Sequence, residues 1–216
     1  MKNLSTVFIV LFTIFIFSTA FACNTTSSLV KLQDLRNIGS FSSIIVSGAI
    51  DVKVNIGSGT SVEVIGPEDM VSNIVTEVKD NTLHVYFKGK GNYKGKAQVI
   101  VSTLELTSAR VSGASKLHIS NLNNSSFTLD VSGASKVEVE GSTSNLTVEA
   151  SGASHMDLSK FSVSNATVDV SGASHGILNV QNNLTIDASG ASHVEYYGTP
   201  EIKSDVSGAS RIKSIN

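Results

Sequence analysis

The sequence predicts an all-β protein, a single-stranded parallel β-helix of 18–20-residue coils behind an irregular, β-rich N-terminal head. Three observations predict it. The tetrapeptide Ser-Gly-Ala-Ser starts at Ser112, Ser132, Ser151, Ser171, Ser189 and Ser207, in steps of 20, 19, 20, 18 and 18 residues. Self-similarity at that period marks a solenoid, in which each repeat buries its apolar face only by stacking on its neighbours. The residues before each copy alternate apolar with polar, the period of a half-buried strand. Long amphipathic helices and proline-rich linkers are missing, which favours one all-β domain.

At the start of the chain, Lys2 precedes an apolar run from Val7 to Phe17, followed by small residues at Ala20 and Ala22. This pattern reads as a secretory signal over 1–22, cleaved between Ala22 and Cys23, and the run is short for a membrane anchor. Cys23 is the sole cysteine, so no intramolecular disulfide is available. Its place directly after the cleavage point makes it a lipid-anchor candidate. A bacterial lipobox, however, favours Leu three residues before the cysteine and a small residue two before it, where this chain has Ala20 and Phe21. Lipidation and ordinary cleavage both stand, and both take the protein out of the cytoplasm, to the periplasm, the outer membrane if lipidated, or the medium. Residues 23–37 read as a linker and 38–216 as the domain, with a head over 38–110 and regular coils over 111–216.

Within the head, strands are expected around Ile44–Val46, Asp51–Ile56, Ser61–Ile65, Val75–Lys79, Leu83–Phe87 and Ala97–Ser102. Gly57-Ser58-Gly59 and Asp80-Asn81 read as hairpin turns, and Pro67 opens a short helix. Val46-Ser47-Gly48-Ala49-Ile50 resembles a worn copy of the repeat, so head and coils are expected to share a core.

In the coils, counting in twos from Ala150 places Gly152, Ser154, Met156 and Leu158 inward, with Gly152 at a crowded bend. Ser115, Ser135, Ser154, Ser174, Ser192 and Ser210 then form a buried hydroxyl ladder. Outward positions become rows, because stacked strands lie about 4.8 Å apart. One row is Thr128, Thr147, Thr167 and Thr185, and another is acidic: Asp130, Glu149, Asp169, Asp187 and Asp205. A third is basic or histidine: Lys116, Lys136, His155, His175, His193 and Arg211. The acidic and basic rows are expected on one outward face, paired across it. Asn124, Asn145, Asn165 and Asn183 head Asn-x-Ser/Thr triplets, and they also suit coil corners through their tolerance of left-handed backbone.

The stretches Phe41–Val52, Val75–Val78 with Leu83-His84-Val85, and Val111–Ser115 with its later copies resemble the family of putative autotransporter adhesins with a head GIN domain. The resemblance covers about residues 38–216 and implies an exported bacterial β-solenoid with a role in adhesion. It transfers no catalytic residue. Many members of that family carry an acid directly after Ser-Gly-Ala-Ser, where this chain has Lys116, Lys136, His155, His175, His193 and Arg211.

The binding-face candidates are therefore His155, His175, His193, Lys116, Lys136 and Arg211, with Glu149, Asp169 and Asp187 beside them. Regularly repeated carboxylates make a solvated face rather than an acid and base held at different pKa values, and the three arginines, Arg36, Arg110 and Arg211, are scattered. No enzyme is expected. Histidine sits where other coils carry Lys or Arg, so the position asks for a polar or cationic group; no metal and no cofactor are expected. The run Lys88-Gly89-Lys90-Gly91-Asn92-Tyr93-Lys94-Gly95-Lys96 lacks P-loop spacing. It reads as a solvated hairpin, or through Lys88, Lys90, Lys94 and Lys96 as a contact for anionic glycan or lipid headgroups. With 16 basic and 18 acidic residues, nothing points to nucleic acid, and a membrane is reached only through a lipid anchor. The leading function is surface binding or adhesion to a glycan or envelope polymer. The alternative is a structural module that self-assembles into a homo-oligomer through its Ser and Ala rows.

Overall fold

A computed structural model describes residues 31–57, 59–89, 91 and 95–215. In chain order the elements are β1 (Lys31–Arg36), β2 (Ser43–Val46), β3 (Asp51–Ile56), β4 (Ser61–Pro67), α1 (Glu68–Val71), β5 (Ile74–Lys79), β6 (Thr82–Phe87), β7 (Gln98–Thr103) and β8 (Ser108–Val111). The coils follow as β9 (Lys116–Val131), β10 (Lys136–Ala150), β11 (His155–Val170), β12 (His175–Ala188), β13 (His193–Tyr197), β14 (Glu201–Val206) and β15 (Arg211–Ser214). Each regular coil is thus one long strand running from one tetrapeptide to the next, and it bends where the register shifts beside Gly141. Neighbouring coils pair in parallel, as in Leu146↔Ala166 and Val148↔Val168, so the fold is the β-solenoid that the period implies.

The tetrapeptides are turns. Gly152 has φ +78° and is exposed, which corrects the inward, crowded position read from parity. A Cβ there would stand 2.6 Å from the Gly133 carbonyl oxygen, and the same conflict recurs at Gly113, Gly133, Gly172, Gly190 and Gly208. Glycine is required because the left-handed backbone turns the missing side chain along the stack, into the coil beneath. Stacking at this turn is held by amides such as Ala153 N–H donating to Gly133 O at 2.8 Å and Ala173 N–H to Gly152 O at 2.7 Å. The alternation itself survives the turn, and Ser115, Ser135, Ser154, Ser174 and Ser192 are all buried. Ser154 bonds Ser174 at 3.0 Å and Ser192 bonds Ser210 at 3.1 Å through their hydroxyls.

The asparagines also have a different cause from the one expected. Asn145, Asn165 and Asn183 share one row without left-handed backbone. Their amides form a ladder, Asn165 Nδ2 donating to Asn145 Oδ1 at 3.3 Å and Asn183 Nδ2 to Asn165 Oδ1 at 2.7 Å. Asn124 stands outside this row and donates to Leu106 O at 2.9 Å.

The head continues the stack, out of order. β2, the turn at Gly48 and β3 form a coil on which β8 and β9 sit, Ser43 facing Ser108 and Asp51 facing Lys116. The next strands of the chain do not follow in that direction. β6 and β7 stack on the opposite side, Ser43 facing Thr82 and Asp51 facing Gln98, before the chain returns to β8. Antiparallel strands finish this end: β4 on β7, β1 on β4, and β5 on β6. Asp80-Asn81, both at positive φ, form the expected hairpin turn between β5 and β6. β3 and β4, expected to be joined as a hairpin, do not pair, because β4 pairs with β7 and β3 lies between β7 and β9. Residues 31–36, read as linker, are the edge strand β1. Arg36 of β1 donates to Val71 O at 2.9 Å and Ile74 O at 2.6 Å, covering carbonyls at the end of α1 and the start of β5. One buried cluster runs from Phe41 in the head to Val194 in the coils.

Candidate functional site

Three polar rows flank the tetrapeptide turns. Before the turn, Arg110, Asp130, Glu149, Asp169, Asp187 and Asp205 are in register. After it, Asp51, Lys116, Lys136, His155, His175, His193 and Arg211 are in register. Two residues further on, Lys53, His118, Glu138, Asp157, Ile177, Glu195 and Lys213 form a row that the sequence reading missed. Its signal was present in the same alternation, but it mixes cations, a histidine, acids and Ile177, so no composition marks it.

The expected pairing of acidic and cationic rows across one face is corrected. Among the described residues no ion pair joins them, since the left-handed turn puts them on two walls that meet at the tetrapeptide. Each row finds its charges on its own wall. Arg110 Nε lies 2.7 Å from Asp130, and on the other wall Lys136 Nζ lies 2.8 Å from Glu138, which His118 approaches at 3.5 Å. Glu195 collects His193 at 3.4 Å and Lys213 at 3.7 Å. The hydrogen bond from Lys136 holds Glu138 below the usual carboxylate range and raises Lys136 in return. Burial works to raise Asp157, but the Ser159 hydroxyl and amide outweigh it and its pKa is lowered.

The three histidines are brought together as a stack. The His155 and His175 rings lie 5.1 Å apart and 9° from parallel, and His175 and His193 5.3 Å apart at 7°. Burial lowers the pKa of His175, and the imidazoles above and below it lower it further. Parallel rings do not converge on a common point, and among the described residues no group of three or more His, Cys, Asp or Glu is arranged to hold a metal. Beside the stack an open hollow is lined by Asp51, Lys53, Lys116, His118, Lys136 and Glu138.

Lys88 and Lys96 are exposed and lie between β6 and β7, at the corner where other coils carry the tetrapeptide. Lys90, Lys94, Ala22 and Cys23 lie outside the described residues. No described helix is long and apolar enough to cross a membrane.

Fold and surface together define a β-solenoid that offers ordered polar rows and shallow hollows. The chain belongs to the family described as "Putative auto-transporter adhesin, head GIN domain", whose model matches residues 40–200. Among solved structures it is similar to a putative adhesin from Bacteroides fragilis, with 18% identity, TM-score 0.72, and coverage of 87% of this chain and 98% of that one. Putative adhesins from Parabacteroides merdae and Parabacteroides distasonis each give a TM-score of 0.53. The first is 18% identical and covers 86% of this chain and 96% of its own; the second is 17% identical and covers 87% and 98%. These likenesses establish the shared fold. No curated protein matches the chain.

Proposed function

We propose that this chain is an exported, non-enzymatic adhesion module that holds an anionic surface polymer, such as an acidic glycan of a cell envelope, along the wall of Lys116, Lys136, His155, His175, His193 and Arg211. The row itself carries the reading. Cationic and imidazole groups recurring at about 4.8 Å suit an extended polyanion whose charges also recur, and weak contacts accumulate along a polymer. The family's adhesin name supports attachment as the purpose. Catalysis is disfavoured because the carboxylates of the acidic row, Glu149, Asp169 and Asp187 among them, repeat one environment, whereas acid–base work needs two different ones.

Export is supported by Lys2, the Val7–Phe17 run and Ala20-Phe21-Ala22. Intact-mass analysis of the protein from its host is expected to find a chain beginning at Cys23, and a diacylglyceryl adduct there selects the lipid anchor.

At neutral pH the wall is nearly balanced: the five cations Lys53, Lys116, Lys136, Arg211 and Lys213 face the four acids Asp51, Glu138, Asp157 and Glu195. Protonating His118, His155, His175 and His193 tips it positive, and at His175 burial first and the neighbouring imidazoles next oppose that charge. Titration of a linear polyuronate, with neutral dextran as control, is expected to give binding that strengthens several-fold from about pH 7.5 to about pH 5.5 and weakens with salt. Replacing His155, His175 and His193 together by Gln removes most of that pH response. An unchanged response in the triple variant rejects this wall and moves the site to the Lys88–Lys96 corner.

A further inference from the structure

The two ends of the stack are finished differently. At the head, β1, β4 and β5 add antiparallel strands and Arg36 covers free carbonyls. At the other end β14 bonds only β12 and β15 only β13, so the outer edges of both are open among the described residues. The inward row that holds Leu184 and Ala188, at 1% and 0% exposure, continues in β14 as Ile202 and Val206, at 40% and 45%. An apolar row with an unpaired edge is a docking surface left without its cover.

We infer that a second copy of this chain covers it, β14 pairing with β14 across a two-fold axis. The charges choose the occupant. With the axis at Ser204, antiparallel pairing sets Lys203 of each copy opposite Asp205 of the other, Ile202 opposite Val206, and Ser204 opposite Ser204. Residue numbers in each pair sum to an even total, so inward side chains meet inward ones and outward meet outward, as the pleat demands. Both strong contacts then form twice, which is the property of an isologous interface. A lone lysine on an edge strand repels other strands; Lys203, two residues from Asp205, is instead matched by a copy of itself. No inward-pointing charge on β14 opposes the pairing, because its inward set is Ile202, Ser204 and Val206. The resulting dimer presents two polymer-binding walls on one rigid body, but its existence does not depend on polymer binding.

Sedimentation of the protein as isolated from its host, at concentrations up to about 100 μM, is expected to give a dimer. Val206→Asp yields monomer with an unchanged circular dichroism spectrum. Lys203→Asp weakens association at least ten-fold, and the exchange Lys203→Asp with Asp205→Lys restores it. Monomer throughout the range overturns the proposal. So does a dimer indifferent to Val206→Asp and Lys203→Asp, and an oligomer lost instead on Ala153→Glu belongs to the tetrapeptide ridge and overturns it equally.

Discussion

Gly152 shows what one residue can and cannot reveal about itself. Its presence in every coil was legible as a demand for no side chain, but the direction of that demand was not, because it depends on the sign of φ. At +78° the absent Cβ points at the Gly133 carbonyl rather than into the core. Gly152→Ala therefore meets both a left-handed backbone, about 1–3 kcal/mol by itself, and a backbone contact that neither coil can relax. Ala153→Ser, exposed on the same turn, is expected to leave the melting temperature unchanged. Equal melting of the two variants would contradict this geometry. Ser154 was legible for the opposite reason, since burial follows from counting alone and the tetrapeptide contains an even number of residues. The asparagine row was only half legible: its recurrence was visible, while the amide-to-amide ladder that explains it needs the register of whole coils.

Among the elements, the head strands β2 to β7 were readable one by one from their alternation, whereas β1 was read as linker and β8 was not marked as a strand. Their order in the stack was not readable. Nothing local in β6 and β7 says that they sit on the far side of β2 and β3; that follows from which apolar face is still uncovered when the chain reaches them. The same limit hid the third polar row, whose members meet only when β3, β9, β10, β11, β12, β13 and β15 lie side by side. Their stacking has an energetic consequence at His175. Its pKa is lowered from 6.5 by burial first and by His155 and His193 next, so on acidification the unfolded chain takes up that proton before the folded one. Stability thus falls as pH drops through 6.5 and levels once the folded imidazole is also charged. Melting temperatures measured across this window should decline less in His175→Gln than in the parent. A parallel decline in both would place the acid sensitivity elsewhere, though not in Glu138, whose lowered pKa costs stability only at more acidic pH, below its ordinary 4.5.

For the whole molecule, stability resides in ladders between coils, since every regular strand from β9 to β12 is hydrogen-bonded on both sides over most of its length. A solenoid of this kind tolerates a change in the number of its coils far better than a change in their phase. Deleting His155–Ser174 joins Ser154 to His175 and lays β12 directly on β10. Leu146 then meets Leu184, Val148 meets Ile186, Ala150 meets Ala188 and Lys136 meets His175, each a pairing of like with like. The variant loses Phe161, whose ring packs edge-on against Phe127 at 6.1 Å, and it loses Met156 beneath Gly176. It should therefore fold with the same strand signature and a single cooperative transition at lower temperature. Deleting residues 155–164 removes half a coil. It leaves the Gly172 turn without Gly152 beneath it and sets apolar residues of one wall over the corner of the next, so this variant should be recovered unfolded or aggregated. Circular dichroism and calorimetry on the two deletions decide the matter, and a half-coil variant that melts like the whole-coil one would mean that the register between coils is not what holds the chain together.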